Sequence, residues 1–279
     1  MSYLIASGMT RVGKAEFQDS PSDYGAEFES VRFLSRRGDV TLDGWHLRGR
    51  EGMPTLIFCH GIEVGRTGDG LTELAATLNR RGFGVLQFDF RGHGASEGYR
   101  VSSGWHERMD VLGAYDHLIS QSVSSDQIGL HGVSMGAGAV CLAAAEERGI
   151  RALSLDTPYA AASELLMSET RFRTGLPKWF AAIFIVGAAT LGYFLYEIKV
   201  DDMRPERAVS KLAYPVLVIH GTEDSRIPPE HSRRVFDASA EGSRLWVVEG
   251  VGHAESFVEN KAEYAERVAE YFLSRLRSE

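Results

Sequence analysis

Ser134 stands in the run Gly132-Val133-Ser134-Met135-Gly136, directly after the apolar segment QIGLHG and directly before the Ala-rich segment AGAVCLAAAEERG. A serine between a strand and a helix, on a turn so tight that small residues must flank it, projects its hydroxyl above the sheet at a helix N-terminus. A hydroxyl is a weak nucleophile at neutral pH, so chemistry here needs a base within hydrogen-bond reach. With the nucleophile on such a turn, a carboxylate and then a histidine are expected after it in the chain. His253, in the turn Glu249-Gly250-Val251-Gly252-His253 that follows the last apolar run, is the candidate base. His46, His60 and His93 precede the serine, His117 and His231 fall on helical segments, and His220 reads as part of a turn. Asp224, in the loop leaving PVLVIHG, is the candidate acid, with Glu223 beside it and Asp156 at the end of RALSLD as alternatives. Such a set attacks a carbonyl and forms an acyl-enzyme, and the resulting oxyanion calls for two backbone N–H donors. Met135 and Ile62, the latter in His60-Gly61-Ile62 after the run PTLIFCH, are the expected donors.

The elements that must carry these residues are legible as alternating patterns. EFESVRFLS and VTLDGWHLRG alternate apolar with polar residues around Gly38-Asp39, which predicts an antiparallel pair. The runs PTLIFCH, GVLQFDF, QIGLHG, RALSLD, PVLVIHG and RLWVVEG are continuously apolar, as strands covered on both faces are. LTELAATLNRRG, WHERMDVLGAYDHLISQ and AEYAERVAEYFLSRL carry helical periodicity between or after them. The expectation is an α/β fold: a doubly wound, mostly parallel sheet of eight strands covered by helices. Its two halves are expected over residues 27–157 and 205–279, with a helical cap inserted at 158–204.

Within that insertion, WFAAIFIVGAATLGYFLY from Trp179 to Tyr196 is uncharged and approaches the length of a bilayer span. A span would put strands of one sheet on opposite sides of a membrane, so a cap over the catalytic core is the preferred reading and no stable membrane span is expected. Phe180, Phe184, Leu191 and Phe194 are the candidate lining of an apolar substrate pocket, with packing on the core as the alternative. Arg171, Arg173 and Lys178 read as a solvated basic face rather than an anion site.

At net charge −8 the chain has no electrostatic footprint for nucleic acid, which draws on clustered Lys and Arg. Cys59 and Cys141, the two cysteines, read as buried free thiols, and no His or Cys spacing suggests a metal. The start MSYLIASGMTRVGK lacks the pattern of a secretory signal, so a cytoplasmic location is expected. Self-association into a homo-oligomer stays open.

From EFESVRFLS to the C-terminus these motifs resemble the α/β-hydrolase superfamily. Phe88-Asp89-Phe90-Arg91-Gly92-His93-Gly94-Ala95-Ser96 is similar to the segment after the fourth strand in esterases, monoacylglycerol-lipase-like enzymes and serine aminopeptidases of that group. In it Asp89, Arg91, Gly92 and Gly94 read as structural. His60-Gly61 followed by Ile62-Glu63 departs from the HGGG loop of some lipases, which speaks against very bulky tertiary-alcohol esters. The insertion resembles the cap of small carboxylesterases. The resemblance implies a serine hydrolase without cofactor, cleaving carboxylic esters of small to medium, partly apolar small-molecule substrates. A peptidase, a thioesterase or a non-catalytic ligand-binding relative are the alternatives. Serine at the turn argues against dehalogenases and epoxide hydrolases, which use aspartate there.

Overall fold

The structure, a computed structural model, describes residues 7–8, 10–14, 16–167 and 178–276. Strands β1 (Glu29–Leu34) and β2 (Thr41–Leu47) pair antiparallel, and β2 pairs antiparallel with β4 (Gly84–Phe88). The remaining pairs are parallel and bring in β3 (Thr55–Cys59), β5 (Ile128–Val133), β6 (Leu153–Asp156), β7 (Leu217–Gly221) and β8 (Arg244–Val248). The order across the eight-stranded sheet is β1-β2-β4-β3-β5-β6-β7-β8. This is the mostly parallel, helix-covered sheet that the alternating runs predict, and it fits the α/β-hydrolase fold that the resemblance implies.

Burial explains why the central runs are continuously apolar. Leu56 and Phe58 of β3 belong to one core layer, with Leu71, Leu74 and Leu78 of helix α1 (Leu71–Arg80) and with Tyr264, Val268 and Phe272 near the C-terminus. Ile57 and Cys59 point the other way, into a layer with Val111 and Leu118 of α2 (Glu107–Ser120) and Val140 of α3 (Met135–Glu146). Both faces of the sheet are therefore dry. The edge strands differ: β1 exposes Glu29, Ser30, Arg32 and Leu34, and β8 exposes Arg244 and Val247, so RLWVVEG is not covered on both faces as its composition suggests.

Helix α4 (Lys178–Tyr196) lies between β6 and β7 in the chain, followed by α5 (Pro205–Val209). After β7 comes α6 (Pro229–Ala238), and after β8 come α7 (Ser256–Glu259) and α8 (Lys261–Arg275). Among the described residues no helix is long and apolar enough to cross a membrane. The turn after β4 is tied by buried ion pairs. Asp89 accepts from Arg66 Nη2 at 2.7 Å and Asp110 from Arg91 Nη2 at 2.7 Å, and Ala95 N–H also donates to Asp89.

Candidate active site

Ser134 joins β5 to α3 with φ 54° and ψ −113°, a backbone conformation that few residues other than glycine adopt. Such strain costs about 1–3 kcal/mol and persists only where the surroundings hold it. Here Ser134 N–H donates to the Asp156 carbonyl at 2.9 Å, tying the turn to β6. The flanking glycines have a steric cause. A Cβ on Gly136 would stand 2.1 Å from the Cys59 carbonyl oxygen, and one on Gly132 would stand 2.6 Å from the Gly136 backbone.

Ser134 Oγ lies 3.0 Å from His253 Nε2, and His253 Nδ1 lies 2.8 Å from Asp224 Oδ2. With Nδ1 donating to the carboxylate, Nε2 is left to accept the serine proton. Asp224 is held in its turn by the backbone, since its Oδ1 accepts Arg226 N–H at 2.9 Å and Ile227 N–H at 2.8 Å. The loops after β5, β7 and β8 thus converge on one point. Asp156, the alternative acid, is engaged elsewhere. It accepts from Tyr264 OH at 2.8 Å and from Thr157 Oγ1 at 3.1 Å, and burial pushes its pKa up to about 6. Among the described residues Glu223 contributes a backbone bond, Glu223 N–H to the Val251 carbonyl at 2.9 Å. His220 is a buried residue of β7 rather than a turn residue; its Nε2 meets the Ile227 carbonyl at 3.0 Å and its Nδ1 meets Ser232 Oγ at 2.6 Å.

Ile62 and Met135 both line the cavity into which Ser134 opens. Met135 is the first residue of α3, where the N–H has no acceptor within the helix. The Ile62 amide is oriented by a contact the sequence did not suggest. Phe90 N–H donates to His60 Nε2 at 3.0 Å, so the ring proton sits on Nδ1, which meets the Gly61 carbonyl at 2.6 Å. Gly61 C=O and Ile62 N–H share one trans peptide and point in opposite directions. Holding the carbonyl on His60 therefore turns the Ile62 N–H away from that ring. Burial lowers the His60 pKa to about 3, so it stays neutral in this role. The signal for it lay in His60 directly following β3, whose neighbour β4 leads into Phe90.

The cavity measures about 150 Å³. Its apolar wall includes Val101, Leu165, Ile198, Val200 and Met203, and α4 contributes Ala188, Ala189 and Gly192. The expected lining is corrected in part. Phe194 is 74% exposed and lies off the cavity, and Leu191 is half-buried without lining it. The cause is helical phase: α4 is apolar nearly all round, so its large side chains do not mark its inner face, and the small residues do. Phe180, Phe184 and Lys178 fall outside the residues whose side chains are described, and Arg171 and Arg173 outside the described residues altogether. Thr10, Arg11 and Val12 also line the cavity, from a segment that precedes the expected core at residue 27. Thr10 is anchored there by Val101 N–H to its carbonyl at 2.9 Å and by Arg100 Nη1 to its Oγ1 at 2.7 Å. Cys59 and Cys141 are buried free thiols whose pKa values burial raises. No cluster of His, Cys, Asp or Glu suited to a metal occurs among the described residues.

A family model described as serine aminopeptidase, S33, matches residues 53–200, more than half of the chain, and the chain belongs to this family of α/β hydrolases. It is 29% identical over 236 residues to the uncharacterized protein YqkD of Bacillus subtilis, covering 82% of this chain and 74% of that one. It is 26% identical over 198 residues to the lysophosphatidylserine lipase ABHD12 of Danio rerio, covering 69% of this chain and 49% of that enzyme. Among solved structures, an esterase of Pyrococcus furiosus superposes with a TM-score of 0.77 at 22% identity, over 96% of this chain and 98% of that one. At that identity the likeness speaks for the fold. The chain is thus a hydrolase of the esterase, lipase and peptidase group.

Proposed function

We propose that this hydrolase cleaves carboxylic esters with a small to medium apolar acyl group, through an acyl-enzyme on Ser134. The observation that carries the reading is the chain Ser134 Oγ, His253, Asp224, with contacts of 3.0 and 2.8 Å, opening on an apolar cavity. Ser134 Oγ attacks the carbonyl carbon as its proton passes to His253 Nε2, and the ester carbonyl π electrons move onto oxygen. The Ile62 and Met135 N–H groups receive that oxyanion, an effect worth about 3–4 kcal/mol per donor where it has been removed. Collapse expels the alcohol, which takes the proton from His253. Water then repeats the sequence and frees the acid. Asp224 orients the imidazole and stabilises its cation without taking the proton.

A cavity of about 150 Å³ has room for roughly a benzene-sized group within its walls, which fits a small apolar or aryl part of the substrate. The inserted helix α4 serves in this reading as a cap, and no cofactor takes part. Hydrolysis of a graded series of p-nitrophenyl esters, with thioesters and aminoacyl amides alongside, tests the proposal. Esters of short to medium chains should turn over fastest; faster cleavage of the amides or thioesters would move the assignment to a peptidase or thioesterase with the same three residues.

A further inference from the structure

Gly61, the residue before the proposed oxyanion amide of Ile62, is gripped at both of its polar ends. His60 Nδ1 holds its carbonyl at 2.6 Å, and its N–H reaches Asp69 Oδ2 at 3.4 Å. A Cβ added to Gly61 would stand 3.0 Å from that same Asp69 oxygen and 3.6 Å from Ser134 Cβ, so carboxylate, glycine and serine stand side by side. Asp69 does not line the cavity and would not touch a substrate there.

The backbone at Asp69 is itself unusual. It takes φ 57° and ψ 20° between Gly68 and Gly70, a left-handed conformation costing an L-residue about 1–2 kcal/mol. Glycine at this position would avoid the cost, and both neighbours are glycine. Strain of this kind is retained where the surroundings over-determine it, commonly beside a functional site. Aspartate tolerates the conformation better than most residues, but in solvent it would usually turn its carboxylate onto its own backbone. Here the carboxylate instead spans eight residues to the loop after β3. Burial pushes its pKa up, against the pull of the Gly61 N–H and the charges of His253 and Arg226.

We infer that Asp69 is a positioning residue, which holds Gly61 so that the Ile62 N–H is fixed toward the oxyanion before substrate arrives. The inference rests on the proposed role of Ser134 and Ile62. A donor that matters only once charge develops acts on kcat and not on ground-state binding. Asp69→Gly removes the grip while relieving the strain, and Asp69→Asn keeps a carbonyl acceptor without the charge.

The test measures kcat and KM of wild type and both variants on the best p-nitrophenyl ester, with fluorophosphonate labelling of wild-type Ser134 as the reference. Asp69→Gly should lose about tenfold or more in kcat with KM changed less than about twofold and no fall in thermal midpoint. Asp69→Asn should return kcat to within about threefold of wild type. Wild-type kcat in Asp69→Gly would overturn the inference, as would a loss carried by KM or an Asp69→Asn variant as slow as Asp69→Gly. Absence of labelling in wild type would instead sink the Ser134 reading and the inference with it.

Discussion

Asp224 divides its carboxylate between its own backbone and His253. Oδ1 accepts the Arg226 and Ile227 N–H groups at 2.9 and 2.8 Å, while Oδ2 lies 2.8 Å from His253 Nδ1. The first pair fixes the direction of the second, so the imidazole is oriented by a carboxylate that cannot swing. Asp224→Asn should therefore keep the fold and lose about 10⁴-fold in kcat, because an amide favours the wrong tautomer. Asp156→Asn should stay within about tenfold of wild type, since its carboxylate is engaged by Tyr264, Thr157 and Ser256. Steady-state rates of the two variants decide the point, and the reverse ranking would place the acid after β6.

The cavity wall predicts a change of acyl preference at a residue with no side chain. Among the described residues a Cβ built on Gly192 meets nothing within 4 Å, and Gly192 lines the cavity. Gly192→Leu should narrow the cavity, with a gain in helix propensity of about 1 kcal/mol. Each methylene excluded from the pocket forfeits about 0.8 kcal/mol, or about fourfold in kcat/KM. The chain-length optimum should move to shorter esters while acetyl ester turnover stays within about threefold. Phe194→Ser, on the outer face, should leave the optimum where it is. An unmoved optimum in Gly192→Leu would put the acyl group elsewhere.

Stability should fall on mild acidification for a reason that lies in the core. Burial lowers His60 and His131 from the ordinary 6.5 to about 3, so both stay neutral in the fold. Between those values the unfolded chain binds protons that the folded chain does not. Their contribution is therefore full above pH 6.5 and lost as pH falls toward about 3. Asp156 acts in the opposite sense. Raised from 3.8 to about 6, it favours the fold most below pH 3.8 and loses that contribution as pH rises through about 6. Asp110, raised by burial to about 7, and Asp69, also raised, act with Asp156, while His46, lowered by burial to about 4, and His93, His106, His117, His220 and His231, also lowered by burial, act with His60 and His131. The histidines outnumber the raised carboxyls, so the thermal midpoint should fall from pH 7 to 4.5, and His131→Leu should make the slope shallower. A midpoint that rises on acidification contradicts this.

The parts of the site carried by local geometry were legible in the residues. Gly132 and Gly136 around Ser134 follow from contacts of a Cβ with backbone one turn or one strand away, and such contacts leave a fixed spacing in sequence. The acid was not uniquely legible. Asp224 and Asp156 both end or follow strands, and what separates them is the engagement of Asp156 with Tyr264, more than a hundred residues on. Helix α4 hid its inner face because apolar residues surround it, which erases the phase that periodicity would reveal. The wall formed by Thr10, Arg11 and Val12 left no signal, since an irregular polar segment has no period to read.

Intact-protein mass spectrometry during reaction with a fluorophosphonate reads out whether Ser134 is the nucleophile and His253 its base. Wild type should gain one phosphonyl group, mapped to Ser134, and lose ester turnover in step. His253→Ala should label slower by orders of magnitude, and Ser134→Ala should neither label nor turn over beyond the residual rate that binding and the oxyanion donors supply. Labelling at another residue, or turnover at the wild-type rate in Ser134→Ala, would remove Ser134 as the nucleophile.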